Sequence, residues 1–181
     1  VYNIEVNLYD PYAGQALDPL DGRALILGPV EVPRRTPPSI EKLDIEQPLR
    51  ADLGGKVRLL GYNVESGFPP GDGIHLTLFW QALERMDENY TVFTHLVDAE
   101  GKMRGQKDNE PVDGFYPTTT WQKGEIVRDQ YDILIAPGAS PGHYALEIGM
   151  YLVETGERLP VFEEGRPTDD KIFLPIEVKG G

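Results

Sequence analysis

The sequence predicts an all-β fold: an antiparallel two-sheet sandwich, immunoglobulin-like or jelly-roll-like, of about seven to nine strands. Three observations carry this. Apolar residues recur with a period of two along most of the chain, and no stretch keeps a 3.6-residue apolar period. The 20 glycines and 16 prolines are spread along the 181 residues rather than massed in tracts, as short strands joined by turns require. The apolar fraction of 40% and the charged fraction of 26% are those of a globular domain with a core.

The elements follow in chain order. Ile4, Val6 and Leu8 alternate with Glu5 and Asn7. After the Gly54-Gly55 turn, Lys56–Val64 reads as a strand. Ile74–Ala82 is the clearest one: Leu76, Leu78 and Trp80 share one face, assigned to the core, and His75, Thr77, Phe79 and Gln81 share the other. The single helical candidate is a short turn near Leu83–Glu88. Tyr90–Asp98 and Lys102–Lys107 flank the hairpin turn Asp98-Ala99-Glu100-Gly101, where Gly101 is suited to positive φ. Ile126–Ile135 places Val127, Tyr131, Ile133 and Ile135 on one side, with Asp129 among them. Tyr144–Val153 carries Leu146, Ile148, Met150 and Leu152 on one face, and Ile172–Val178 closes the fold.

The two ends of the chain resemble each other. Tyr2–Tyr9 matches Tyr144–Tyr151, Gly14 falls on Gly156 and Leu17 on Leu159 at the same offset, and Pro29–Val32 matches Pro175–Val178 after a small gap. The domain organisation expected from this repeat is a terminal hairpin of an upstream sister domain over residues 1–32, a proline-rich linker over 33–48, and a complete β-sandwich over 49–181. A lone hairpin is marginal in water, so the apolar face of 1–32 is expected to find cover on this domain's own sheet or on a second chain. The chain opens on Val1 rather than methionine and is read as a piece of a longer protein, with any membrane anchor outside it.

Charge and residue types narrow the chemistry. Thirty acidic residues against seventeen basic ones give a formal charge of −13, which repels phosphate backbones and anionic lipid and argues against nucleic-acid binding. The absence of cysteine removes disulfides, thiolate metal sites and cysteine nucleophiles. His75, His95 and His143 are far apart and have no metal-ligand spacing, so no cofactor is expected. The acidic surplus is compatible with weakly bound Ca²⁺, for which Asp98, Glu100, Asp108, Asn109 and Asp113 could supply oxygen atoms, but the preferred reading is that Asp98 and Glu100 make a turn and the others are solvated. No local motif selects a pair of catalytic carboxylates or a nucleophile, and no catalytic residue is assigned.

The long loop Asn109–Glu125 is the main candidate for function, because long loops in compact domains are often functional. Tyr116 and Trp121, with Gln106 and Asp108, could form a platform on which aromatic faces meet sugar C–H groups while the amide and carboxylate bond hydroxyls. The alternative is that Trp121 plugs the end of the sandwich and pins its own loop. His95, on a face with Phe93 and Val97, and Asp129 are read as structural polar residues. Asp129 is expected to accept backbone N–H groups from the Thr118–Gln122 turn or a proton from His95. Tyr144, just after Pro141-Gly142, is placed like a tyrosine corner, with its hydroxyl tying the preceding loop.

A longer series of residues suggests a family. Phe93–Gly101, Gln106–Pro111, Pro117–Trp121, Gly124–Asp129, Pro141–Tyr144, Gly149–Tyr151 and Thr155–Leu159 follow one another in a familiar order. The series, covering roughly Leu53 to Val178, resembles the C-terminal soluble β-sandwich region of bacterial membrane glycosyltransferases of the dolichyl-phosphate-mannose mannosyltransferase-like group, of the Chloroflexi and cyanobacterial type. The resemblance implies an extracytoplasmic domain tethered to the membrane part of the same polypeptide. The catalytic acidic residues of such enzymes lie in membrane-proximal loops, so this domain is expected to be non-catalytic. Three roles remain open: an accessory domain that binds a glycan, a purely structural tandem or oligomerisation module, and a glycoside hydrolase.

Overall fold

A computed structural model describes residues 2–6, 8–10, 15–17, 25–30, 40–65, 69–163 and 165–179, with the side chains described from Ile40 onward except at Glu41 and Glu163. The chain forms two compact units, Val1–Thr36 and Pro37–Gly181. The first contains β1 (Tyr2–Val6), β2 (Leu8–Asp10), β3 (Gln15–Leu17) and β4 (Leu25–Val30). β1 pairs antiparallel with β4, and β2 with β3. The faces expected for Ile4, Val6 and Leu8, and the match at Gly14, lie outside what is described.

The second unit contains β5 (Gln47–Leu53), β6 (Val57–Val64), β7 (Gly73–Ala82), β8 (Thr91–Val97), β9 (Met103–Asn109), β10 (Ile126–Leu134), β11 (Gly142–Tyr151), β12 (Val161–Glu163), β13 (Arg166–Asp169) and β14 (Ile172–Val178). They form two antiparallel sheets, not closed into a barrel: six strands in the order β10-β7-β6-β5-β12-β13 and four in the order β14-β11-β8-β9. This is the all-β sandwich that the period-two patterning predicts.

The core lies between the sheets and is built by alternation. Leu76, Leu78 and Trp80 of β7 and Val127, Tyr131 and Ile133 of β10 come from one side, and Leu146, Ile148 and Met150 of β11 and Leu174 and Ile176 of β14 from the other. Each such side chain, removed from water, contributes about 1.5–3 kcal/mol. The Asp98–Gly101 turn forms as expected: Gly101 adopts φ +75° and its N–H donates to the Asp98 carbonyl at 2.9 Å.

The structure corrects four expectations. Gln47 and Pro48, assigned to a linker, begin β5, after a 3-10 turn at Ile40–Lys42; residues 33–39 lie outside those described. The second unit has ten described strands, because β5 and the short β12 and β13 carry too few alternating positions to register as a pattern. The turn near Leu83–Glu88 is not helical, and the second 3-10 turn is at Thr118–Thr120. Phe79, on the β7 face away from the core, is nonetheless buried.

Candidate functional site

The loop joining β9 to β10 has two halves that behave differently. The half around Thr118–Trp121 is fastened inward. The Thr118 hydroxyl donates to the Glu88 carbonyl at 2.7 Å and accepts the Tyr90 N–H at 3.0 Å. Trp121 is 1% exposed, within the core, and its indole N–H donates to the Tyr116 carbonyl at 3.0 Å. Tyr116 is half-buried against the core, and its hydroxyl donates to Glu125 at 2.5 Å. Trp121 therefore has no ring face to offer a sugar, and the platform expected from Tyr116 and Trp121 does not exist. Trp121 plugs the sandwich and pins its own loop.

The other half, 110–116, is displayed. Val112, Asp113 and Gly114 have φ of 57°, 51° and 83°, one left-handed turn in succession. L-residues adopt this conformation at a cost of roughly 1–2 kcal/mol each, and a β-branched one especially so. The turn is held from beneath by Asp129, which is 0% exposed. Asp129 accepts the Val112 N–H at 2.9 Å, the Tyr131 hydroxyl at 2.6 Å and the Trp80 indole N–H at 3.3 Å. Burial raises its pKa, and these three donors work against that rise. Burial, with the Asp129 charge second, also raises the Tyr131 hydroxyl. From above, Lys107 Nζ pairs with Asp113 at 2.9 Å. The result is a strained turn that leaves Phe115 86% exposed.

Asp129 is thus a structural polar residue, but its partners are neither the Thr118–Gln122 turn nor His95. His95 lies elsewhere. Val92 and Leu96 point into the core, so Phe93, His95 and Val97 line the outer surface of the four-stranded sheet. His95 Nε2 lies 3.1 Å from Asp108 Oδ1, and Gln106 stands opposite His95 on β9.

This outer surface holds a groove of about 190 Å³ lined by Phe93, His95, Asp108, Tyr151, Gly156 and Arg158. Its floor is Phe93, 0% exposed, whose ring packs against Gly149 on the neighbouring strand. A Cβ on Gly149 would lie 2.5 Å from that ring, so only glycine admits it. The Arg158 guanidinium lies 4.3 Å from the Phe93 centroid, a cation–π contact, and reaches Asp170 at 3.4 Å. The Tyr151 hydroxyl is 3.5 Å from Asp108 Oδ2; burial, then the Asp108 charge, raises its pKa. The groove therefore combines an aromatic ring, a carboxylate and an imidazole carried on β8, β9 and β11 with a guanidinium from the segment between β11 and β12.

Two of the four residues expected to bind a ligand, Gln106 and Asp108, lie on this face, and Asp108 lines the groove. Tyr116 and Trp121 do not belong to it. Sequence reasoning missed Tyr151 and Arg158. The available signal was alternation on β11, which sets Gly149 and Tyr151 opposite the Leu146/Ile148/Met150 face.

The oxygen atoms considered for Ca²⁺ are dispersed among other tasks. Asp98 Oδ1 accepts the Lys102 N–H at 2.8 Å and Oδ2 the Arg104 Nε–H at 2.7 Å, and the Arg104 bond leads in holding its carboxyl below the usual range. Asp108 faces His95, and Asp113 faces Lys107. Asn109 Nδ2 donates to the Glu110 carbonyl at 2.7 Å, while its Oδ1 is buried with no partner among the described residues. Among the described residues, no three of His, Cys, Asp and Glu gather in a group that could hold a metal ion. Tyr144 acts as a corner: its hydroxyl donates to the Ser140 carbonyl at 2.6 Å. Among the described residues, no helix is long and apolar enough to cross a membrane. No protein-family model and no curated protein sequence matches the chain.

Proposed function

We propose that the second unit is a non-catalytic, extracytoplasmic accessory domain of a membrane glycosyltransferase, and that it holds a glycan against the outer surface of its four-stranded sheet. The observation that carries the binding reading is the Phe93–Arg158–Tyr151–Asp108 groove. A sugar needs a flat apolar face beside hydrogen-bond donors and acceptors. Tyr151 supplies the former, Arg158 donates, and Asp108 accepts. A formal charge of −13 favours an uncharged glycan over an acidic one. Asp108 is the single carboxylate among the lining residues, whereas glycosidase chemistry needs two that face each other, which supports a binding role over hydrolysis. The link to a glycosyltransferase, and with it the location, rests on the sequence resemblance.

The test is an NMR titration of the folded chain with neutral gluco-, manno- and galacto-oligosaccharides, with a uronate oligosaccharide for comparison. Shifts are expected at Tyr151, His95 and Gly156 with a neutral ligand, and Tyr151→Ala and Arg158→Ala are each expected to weaken binding at least tenfold. Absence of any shift, or binding unaffected by both substitutions, would discard the reading. A second reading, a structural tandem module, is favoured by the strand pairing of the first unit.

A further inference from the structure

The terminal repeat extends from residue types to strand pairing. In the first unit Leu8 pairs with Leu17 and Tyr9 with Ala16. At an offset of about 140 residues, the Leu159 N–H donates to the Met150 carbonyl at 2.8 Å and Tyr151 bridges Arg158. Leu8 and Leu17 are the counterparts of Met150 and Leu159, and Tyr9 and Ala16 those of Tyr151 and Arg158. The outer ladder matches at its first pair, where Tyr2 pairs with Val30 as Tyr144 pairs with Ile176; beyond the register shift between Tyr2 and Ile4, Ile4 pairs with Leu27, the counterpart of Phe173, whereas Leu146 pairs with Leu174. Two unrelated amphipathic hairpins would share a period of two but have no reason to share the β2–β3 register, Leu8 with Leu17 and Tyr9 with Ala16, because a one-residue slip changes every partner.

The strand neighbours differ too. In the second unit β11 is an interior strand, between β14 and β8. Among the described residues its counterpart β1 pairs only with β4. An unpaired edge of this kind is a template for another strand.

We infer that residues Val1–Thr36 are the C-terminal strands of a second sandwich of this fold, and that β1 accepts on its open edge an antiparallel strand of β8 type from the rest of that sandwich, carried on the same polypeptide. The required chemistry follows from β8 itself: a segment like Thr91–Val97, with apolar residues at the alternate positions of Val92 and Leu96, facing β1 as Leu96 faces Leu146. A second copy of this chain is a poor donor, because its own β8 is already enclosed between β11 and β9. The sister copy carries Ala16 in place of Arg158, so the arginine-bearing groove is confined to the second unit.

Amide hydrogen exchange measured by NMR tests this. In the 181-residue chain at low concentration, β1 and β4 amides are expected to exchange at least about 100-fold faster than those of β11 and β14. A chain extended at its N-terminus by a copy of residues 37–142 is expected to protect β1 and β4, and Thr94→Pro in the added copy to remove that protection. Strong protection in the monomeric unextended chain would overturn the inference. So would protection that appears only as the chain dimerises, protection that survives the proline, or an extended chain with an intact second unit and no gain at β1.

Discussion

Asp129 Oδ1 accepts the Val112 backbone N–H at 2.9 Å, tying a carboxylate buried in β10 to a left-handed turn on the surface. The same carboxylate takes the Tyr131 hydroxyl and the Trp80 indole N–H on its other oxygen. Asn cannot serve all three donors, because its amide nitrogen faces either the Val112 N–H or the Trp80 N–H. Asp129→Asn is expected to cost about 2–3 kcal/mol in urea denaturation, given about 1.5–3 kcal/mol for a hydrogen bond to a charged group. Residues 112–115 should lose exchange protection in the same variant. An unchanged midpoint would show that the turn holds itself.

Trp121 separates a structural role from a binding one. Its removal from the core by Trp121→Ala should cost about 3–5 kcal/mol. Trp121→Phe should retain most of the fold and release the Tyr116 carbonyl. Oligosaccharide affinity of the folded Trp121→Phe protein should equal that of the parent, as measured by NMR titration.

Gly149→Ala tests the groove floor. The new Cβ would meet the Phe93 ring at 2.5 Å and the Asp170 carbonyl oxygen at 3.2 Å, and neither the buried ring nor the backbone can yield freely. Overpacking of this kind costs about 1–3 kcal/mol. Thermal unfolding gives the cost, and the Arg158 side-chain shifts, which sense the Phe93 ring current, report whether the stack survives.

The pH dependence has two opposing parts. The Arg58 hydrogen bond leads in lowering Asp52, and the Arg104 hydrogen bond leads in lowering Asp98. Their contribution is present above the unfolded carboxyl pKa of about 3.9 and is lost as pH falls through the depressed folded values. Asp129 is raised by burial, so its contribution is present below that pKa and is lost as pH rises through the raised value. Asp98→Asn should therefore flatten the acid limb of a plot of melting temperature against pH. Carboxyl NMR titration should find Asp129 above, and Asp52 and Asp98 below, the ordinary range.

Tyr144→Phe deletes the hydroxyl that holds the Ser140 carbonyl and nothing else. The expected cost is about 0.5–1.5 kcal/mol in chemical denaturation. A larger loss would mean that the corner also sets the register of β11.

The sequence by itself determined the two-layer β architecture and the inward residues of β7, β10, β11 and β14, because side chains of a strand alternate and one face must leave water. It also determined the Asp98–Gly101 turn, the Tyr144 corner and the terminal repeat, since each depends on residues close in the chain or on an offset visible as text. Tertiary structure alone decided the rest. Whether Phe93 and His95 face the core or the outer surface depends on which sheet holds β8, and alternation is silent on that choice. Asp129 found Val112 rather than His95, and Asp108 found His95 and Tyr151, through strand order that brings together residues far apart in the chain. Trp121 went inward because its loop folds back on Glu88 and Tyr90, a closure no local pattern records. Long-range pairing, not local preference, assembled the groove.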